Sequence, residues 1–314
     1  MRQMQNSTGV PITLSAEKTE WLLLAVPGLI WGASFLFMRM GAPDFGVVPL
    51  IALRVSIAAL LLLPVLRNAG ARDEFRQHAG PLFVVGVTNS ALPFCLLTYA
   101  ALYLTAGVDS ILNATTPLWT AVVAFFWLNT PLRRLQVVGL LTGFAGVMIL
   151  ARDAIGVGGK GTMGAVAAAI LATLSYGFAA NYSRRKLGDV RPFVSAFGSQ
   201  LFAALVLPPG AVIFWPHTPI HPANWVAVIL LGALCTAVAY LLYFSLIRNA
   251  GPQYAASVTF LIPIFGVVWG AIFLREDLTR LTGIGCCVIL LGTAFATGKI
   301  KGLPGVFTTP RRHG

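Results

Sequence analysis

The chain has 314 residues, 57% of them hydrophobic and 10% charged, whereas soluble domains carry about 25% charged residues. No water-soluble fold of this length hides that much apolar surface, so the bilayer acts as solvent. The net charge of +12 sits in short segments between apolar runs, which makes it a matter of topology and excludes a nucleic-acid partner.

Residues 1–20 are polar and carry Glu17, Lys18 and Glu20. The first apolar run, from Trp21, is about 20 residues long, longer than a signal-peptide core, and reads as an uncleaved first span. A spanning helix needs about 20 mostly apolar residues. On that measure spans are expected at 21–39, 46–66, 81–103, 107–128, 135–151, 162–182, 193–215, 224–247, 252–274 and 281–298. Polar punctuation separates them, as in the charged stretch 67–74, Ser183-Arg184-Arg185-Lys186 and the proline-rich 216–223. The runs are continuously apolar, which favours helices over barrel strands, whose residues alternate. The expected fold is all-α and integral to the membrane.

Lys and Arg counts orient the chain. With the N-terminus inside, inside segments hold sixteen basic residues and outside segments five, with Arg54 inside a span. Both termini are therefore expected in the cytoplasm. The four cysteines, Cys95, Cys235, Cys286 and Cys287, fall within apolar runs. They lack disulfide or metal spacing and read as packing residues. No metal or other cofactor is implied.

The two halves resemble each other. Sliding 117–146 onto 263–292 without a gap brings eight identities into line, among them Pro117/Pro263, Leu128/Leu274, Arg134/Arg280, Gly139/Gly285 and Gly146/Gly292. Span 4, its loop and span 5 thus map onto span 9, its loop and span 10. Five spans per repeat is an odd number, so the second repeat enters the membrane from the opposite face, as in many secondary transporters. The expected organisation is a cytoplasmic tail at 1–20, five-helix repeats at 21–152 and 161–298, and a basic cytoplasmic tail at 299–314.

Several segments carry a family likeness: Ile30-Trp31-Gly32-Ala33-Ser34-Phe35, Arg54, Ile111 to Pro117, Phe260-Leu261-Ile262-Pro263 and Phe273 to Thr279. With these, the chain resembles the ten-helix EamA transporters of the drug/metabolite transporter superfamily over roughly 21–298. Residues 275–279 look like that family's GE-x-L-T turn, and the first-half counterpart, Leu128 to Leu132, lacks the Glu. The resemblance implies export of small metabolites, often amino acids, from the bacterial cytoplasm across the inner membrane.

A proline inside a helix leaves the carbonyl four residues earlier without its partner, and in a bilayer that carbonyl needs a replacement or a polar cavity. Pro93, Pro117 and Pro263 are expected to break their helices and free the carbonyls of Asn89, Asn113 and Thr259. The candidate substrate site is therefore Trp31, Ser34, Asn89, Asn113, Thr116, Tyr176, Tyr240, Thr259 and Trp269, combining polar groups with rings able to stack on a cargo. The Gly28/Gly32, Gly139/Gly143 and Gly266/Gly270 spacings read as close helix contacts. Arg54 and Asp109 are assigned structural roles, snorkelling to an interface or capping a helix. All four histidines lie in loops or tails and Asp109 is the one carboxylate in a span, which argues against proton coupling through a mid-membrane relay. With no G-x-S-x-G elbow, Walker A loop, intramembrane histidine or paired aspartates, an enzyme is not expected. A small-molecule carrier is favoured, and a flippase or carrier for a lipid or other amphiphile is the competing reading. The oligomeric state is not legible.

Overall fold

The computed structural model describes residues 16–157 and 159–298; the two expected tails fall almost wholly outside this range. α1 (Ala16–Phe45) is stopped by Gly46, whose φ of 74° a side chain would resist. α2 (Val47–Leu62) continues into a 3₁₀ turn over Leu63–Arg67 with Pro64 in its first turn. The stretch after it, read from its charges as a loop, forms a helix, α3 (Ala69–Gln77). The Asn68 side chain accepts from the Ala71 N–H at its start, and Phe75 packs beside Ala71 and Leu82, so one cap and one apolar face hold it.

α4 (Ala79–Val85), a π turn over Gly86–Ala91 and α5 (Leu92–Ala100) make the next span. α6 (Ala106–Asn113) and α7 (Thr116–Leu128) follow, broken at 114–115, and then α8 (Arg134–Val157). α9 (Thr162–Lys186) opens the second half. The run expected as a single span at 193–215 is divided into α10 (Pro192–Val206) and α11 (Pro208–Ile213), because Pro208 and Pro209 cannot donate to the preceding turn. α12 (Pro222–Gly232), a π turn over Ala233–Val238 and α13 (Ala239–Ala250) form one long span. α14 (Pro252–Ala255), α15 (Val258–Leu274) and α16 (Arg280–Ala296) complete the chain.

Among the described residues, seven helical segments are long and apolar enough to cross a membrane, and α10, α15 and α16 are shorter apolar helices of 15 to 17 residues. Phe126, Met148, Met163 and Val212 are each more than 70% exposed; such a surface is stable against lipid and not against water. This is a multi-pass membrane protein.

Equivalent features recur 146 residues apart. The π turns that precede α5 and α13 correspond within one residue. Asn129 and Arg275, which end α7 and α15, are the two non-glycine residues with positive φ among those described, at 49° and 52°. Packing is reciprocal too. α8 lies along α16, where a methyl added at Gly139 would come within 2.6 Å of the Gly292 carbonyl oxygen, and one added at Gly285 within 3.4 Å of that of Gly146. Residue i of one half thus meets the counterpart of j, and j meets the counterpart of i, as a two-fold relation demands. α1 packs on α15 as α9 packs on α7. The glycines act as close contacts: Gly32 lies against the backbone of Phe265 and Gly266, Gly266 against Ser110, and Gly177 against Trp119 and Thr120. Without a hydrophobic drive between helices in lipid, such approach provides the dispersion contacts that hold a bundle together.

A central cavity between the two halves

Between the halves lies a cavity of about 310 Å³, at the small end of the range typical of ligand sites. Of the residues predicted for a substrate site, Trp31, Ser34, Asn89, Asn113, Thr116, Tyr176, Tyr240 and Thr259 line it, with Pro117. Trp269 does not: it turns from the cavity towards α1, where its indole Nε1 donates to the Leu29 carbonyl at 3.0 Å. Pro93 and Pro263 are also outside the wall.

Pro93 and Pro117 act differently from expectation, because local donors satisfy the carbonyls they would free. Before Pro93 the helix has widened to π register, with the Leu92 N–H bonded to the Val87 carbonyl. The acceptor facing Pro93 in that register is Thr88, not Asn89, and Ser175 Oγ donates to the Thr88 carbonyl at 2.7 Å. At Pro117 the helix does break, but the Asn113 carbonyl accepts from Thr116 Oγ1 at 2.8 Å and the Ala114 carbonyl from Thr293 Oγ1 at 3.2 Å. Pro263 sits inside an unbroken α15, and among the described residues no side chain donates to the Thr259 carbonyl. The polar character of the wall therefore comes mainly from side chains. Asn113 Oδ1 is buried there without a partner among the described residues, Asn89 faces the Tyr240 hydroxyl and Ser34 faces the Cys235 thiol.

The wall is built in pairs. Ser34 and Ala180, Asn89 and Cys235, Phe94 and Tyr240, Leu97 and Tyr243, Asn113 and Thr259, and Thr116 and Ile262 all line it, each pair 146 residues apart. The cavity thus straddles the relation between the halves, but its chemistry is uneven: the first half contributes two asparagines and an arginine, the second three tyrosine rings. Trp31 contacts two of these rings, its centroid 6.2 Å from Tyr240 and 5.0 Å from Tyr243.

The residue that sequence reasoning misplaced is Arg54. It does not snorkel: it is 4% exposed and on the cavity wall. Its Nε donates to Thr236 Oγ1 at 3.0 Å, its Nη1 to Met38 Sδ at 3.7 Å, and its guanidinium carbon lies 3.6 Å over the Phe94 ring. Thr236 donates in turn to the Leu231 carbonyl, five residues back, which helps to hold the second π turn. Phe94, Leu97, Cys235 and Tyr243 were also missed as wall residues, and the 146-residue offset applied to Tyr240, Asn89 and their neighbours was the signal that finds them.

Asp109 is buried off the cavity wall, with neither carboxyl oxygen bonded among the described residues. It is not the cap of α6. Thr105 Oγ1 accepts from the Val108 N–H, while Glu276 Oε1 and Oε2 accept from the Ala106 and Gly107 N–H groups at 2.9 and 3.4 Å. Arg39 stands 3.9 Å from Glu276 and donates to the Ala101 carbonyl at 2.6 Å. Glu276 thus ties the α15–α16 turn to α1 and α6 at one end of the bundle, whereas Thr130, 146 residues earlier, has no carboxylate to make such a tie.

Comparison with known proteins accords with this architecture. A transporter, YvbV, of Bacillus subtilis is 27% identical over 290 residues, spanning 89% of this chain and 92% of its own. An inner membrane transporter of Escherichia coli, YedA, is 24% identical, over 86% of this chain and 87% of its own. Both are named as uncharacterised. A solved crystal structure, 19% identical, covers 92% of this chain with a TM-score of 0.65, a likeness of fold. The profile of the EamA-like transporter family matches twice, over residues 19–152 and 163–298, one match to each half, and the chain belongs to that family.

Proposed function

We propose that this protein is a ten-span carrier that exports small metabolites, amino acids or related compounds, by alternating access between two inverted five-helix repeats. The supporting observation is the cavity whose wall is assembled pairwise from both halves. A site shared between two rocking units changes its exposure when either moves, without being dismantled. Glu276 joins the halves at one end of the bundle and the Glu74–Arg191 pair joins them at the other, so opening at either end requires its contacts to part. The bias of basic residues supports both termini in the cytoplasm, and the name of the E. coli relative supports a bacterial inner membrane.

Counterflow in proteoliposomes tests the reading. Vesicles are loaded with unlabelled amino acids, and entry of labelled aromatic, hydroxy and sulfur amino acids is followed. Transient accumulation of one label, competed by its unlabelled form, is the expected result. Folded protein that accumulates none of them overturns the amino-acid reading, and accumulation of a fluorescent lipid across leaflets in its place would establish the amphiphile carrier.

A further inference from the structure

We propose that Arg54 is the anchor for a carboxylate on the cargo, so that the cargo is a small carboxylate with an apolar or aromatic body. The inference deepens the carrier reading and rests on it.

An ionised side chain inside the membrane is costly and is normally paired. Among the described residues Arg54 has no carboxylate within 4 Å; the ion pairs there are Arg39–Glu276 and Arg191–Glu74. Among the described residues the cavity wall has no Asp, Glu, Lys or His, and Arg54 is the one charged group there. A guanidinium has five N–H donors in a planar fork, and the contacts to Thr236 and Met38 occupy two. Phe94 fixes the plane from one side. Three N–H donors remain, on Nη1 and Nη2 of a residue that lines the cavity, a fork that can meet both oxygens of a carboxylate.

The second half shows that the helix tie alone requires no charge. The counterpart of Arg54 is Gln200, and that of Thr236 is Ser90. Gln200 Nε2 donates to Ser90 Oγ at 2.9 Å, the same α-helix-to-π-turn bond made by a neutral amide. Gln200 is off the cavity wall and Arg54 is on it. The positive charge stands where cargo passes. Trp31, Tyr240 and Tyr243, which also line the cavity, form an aromatic box for the body of the cargo. The unpartnered Asn113 Oδ1 is an acceptor for an N–H on it.

Binding to purified full-length protein in detergent, by calorimetry, tests this with 3-phenylpropionate, 3-phenylpropionamide, phenylalanine and phenylalaninamide. At least one acid is expected to bind about 10- to 100-fold more tightly than its amide, the span of a charge-assisted hydrogen bond. Arg54→Gln is expected to abolish that preference, and Arg54→Lys to keep part of it. Preference for phenylpropionate over phenylalanine identifies a monoanionic cargo and the reverse a zwitterion; either upholds the proposal. Equal binding of acids and amides overturns it, as does an acid preference that survives in Arg54→Gln, or binding of none of the four. The acid–amide comparison on the wild type needs no variant to fold. Counterflow of an uncharged cargo would leave the carrier standing while overturning the role of Arg54.

Discussion

Arg54 and Gln200 occupy the same place in the two halves and make the same bond to a hydroxyl in a π turn, yet one is a cation on the cavity wall and the other a neutral amide within the packing. A repeated framework therefore keeps what joins helices in both halves, while the chemistry facing the cavity diverges. Asparagines stand in one wall against tyrosines in the other, and a charge has no counterpart.

The strongest way to break the comparison is to impose the charge on the wrong half. Gln200→Arg buries a second guanidinium beside Ser90 without a carboxylate and is expected to destabilise the protein by about 3–5 kcal/mol, read as a large fall in melting temperature in detergent. Arg54→Gln makes the halves alike and is expected to melt near the wild type. Next in size, Ser90→Ala removes the acceptor of a fully buried amide and is expected to cost about 1–3 kcal/mol. Glu276→Gln removes the charge that draws Arg39, a partly exposed pair worth about 1 kcal/mol or less; a change in the balance of inward and outward transport rates is expected, with little loss of stability. The smallest effect belongs to Glu74, on the surface in α3. Burial opposes its ionisation, but the Arg191 N–H, guanidinium and charge together hold its carboxyl below the usual carboxylate value. The sign follows: its contribution is present above the unfolded value and lost as pH falls through the folded one. Melting of Glu74→Gln and wild type should therefore differ by a constant small amount between pH 6 and 8, taking carboxylates to titrate near ~4.

Much of the fold was legible because lipid imposes long apolar runs and a repeated chain repeats its glycines and prolines. The left-handed ends at Asn129 and Arg275 follow from the offset that aligned Pro117 with Pro263. The helix α3 was hidden, because a charge-rich stretch with a cap at Asn68 and one aromatic anchor looks like a loop until its partners are known. The π turns were hidden as well: one precedes a proline, the other has none, and Thr236 bonding five residues back is a tertiary outcome. Within the site, polar and aromatic residues near prolines found eight residues of the wall, but composition does not give the rotation of a helix. That is why Trp269 was placed in the cavity and Arg54 outside it.

The central claim is that both halves share one site that is open to each side in turn. The most direct measurement is two-sided labelling of single cysteines at the equivalent positions 113 and 259, as Asn113→Cys and Thr259→Cys, in a chain with Cys95, Cys235, Cys286 and Cys287 replaced. An impermeant maleimide applied to oriented vesicles from either face is expected to label both positions from both faces, with cargo protecting the two in parallel. Labelling of both from one face alone, unchanged by cargo, would contradict the account.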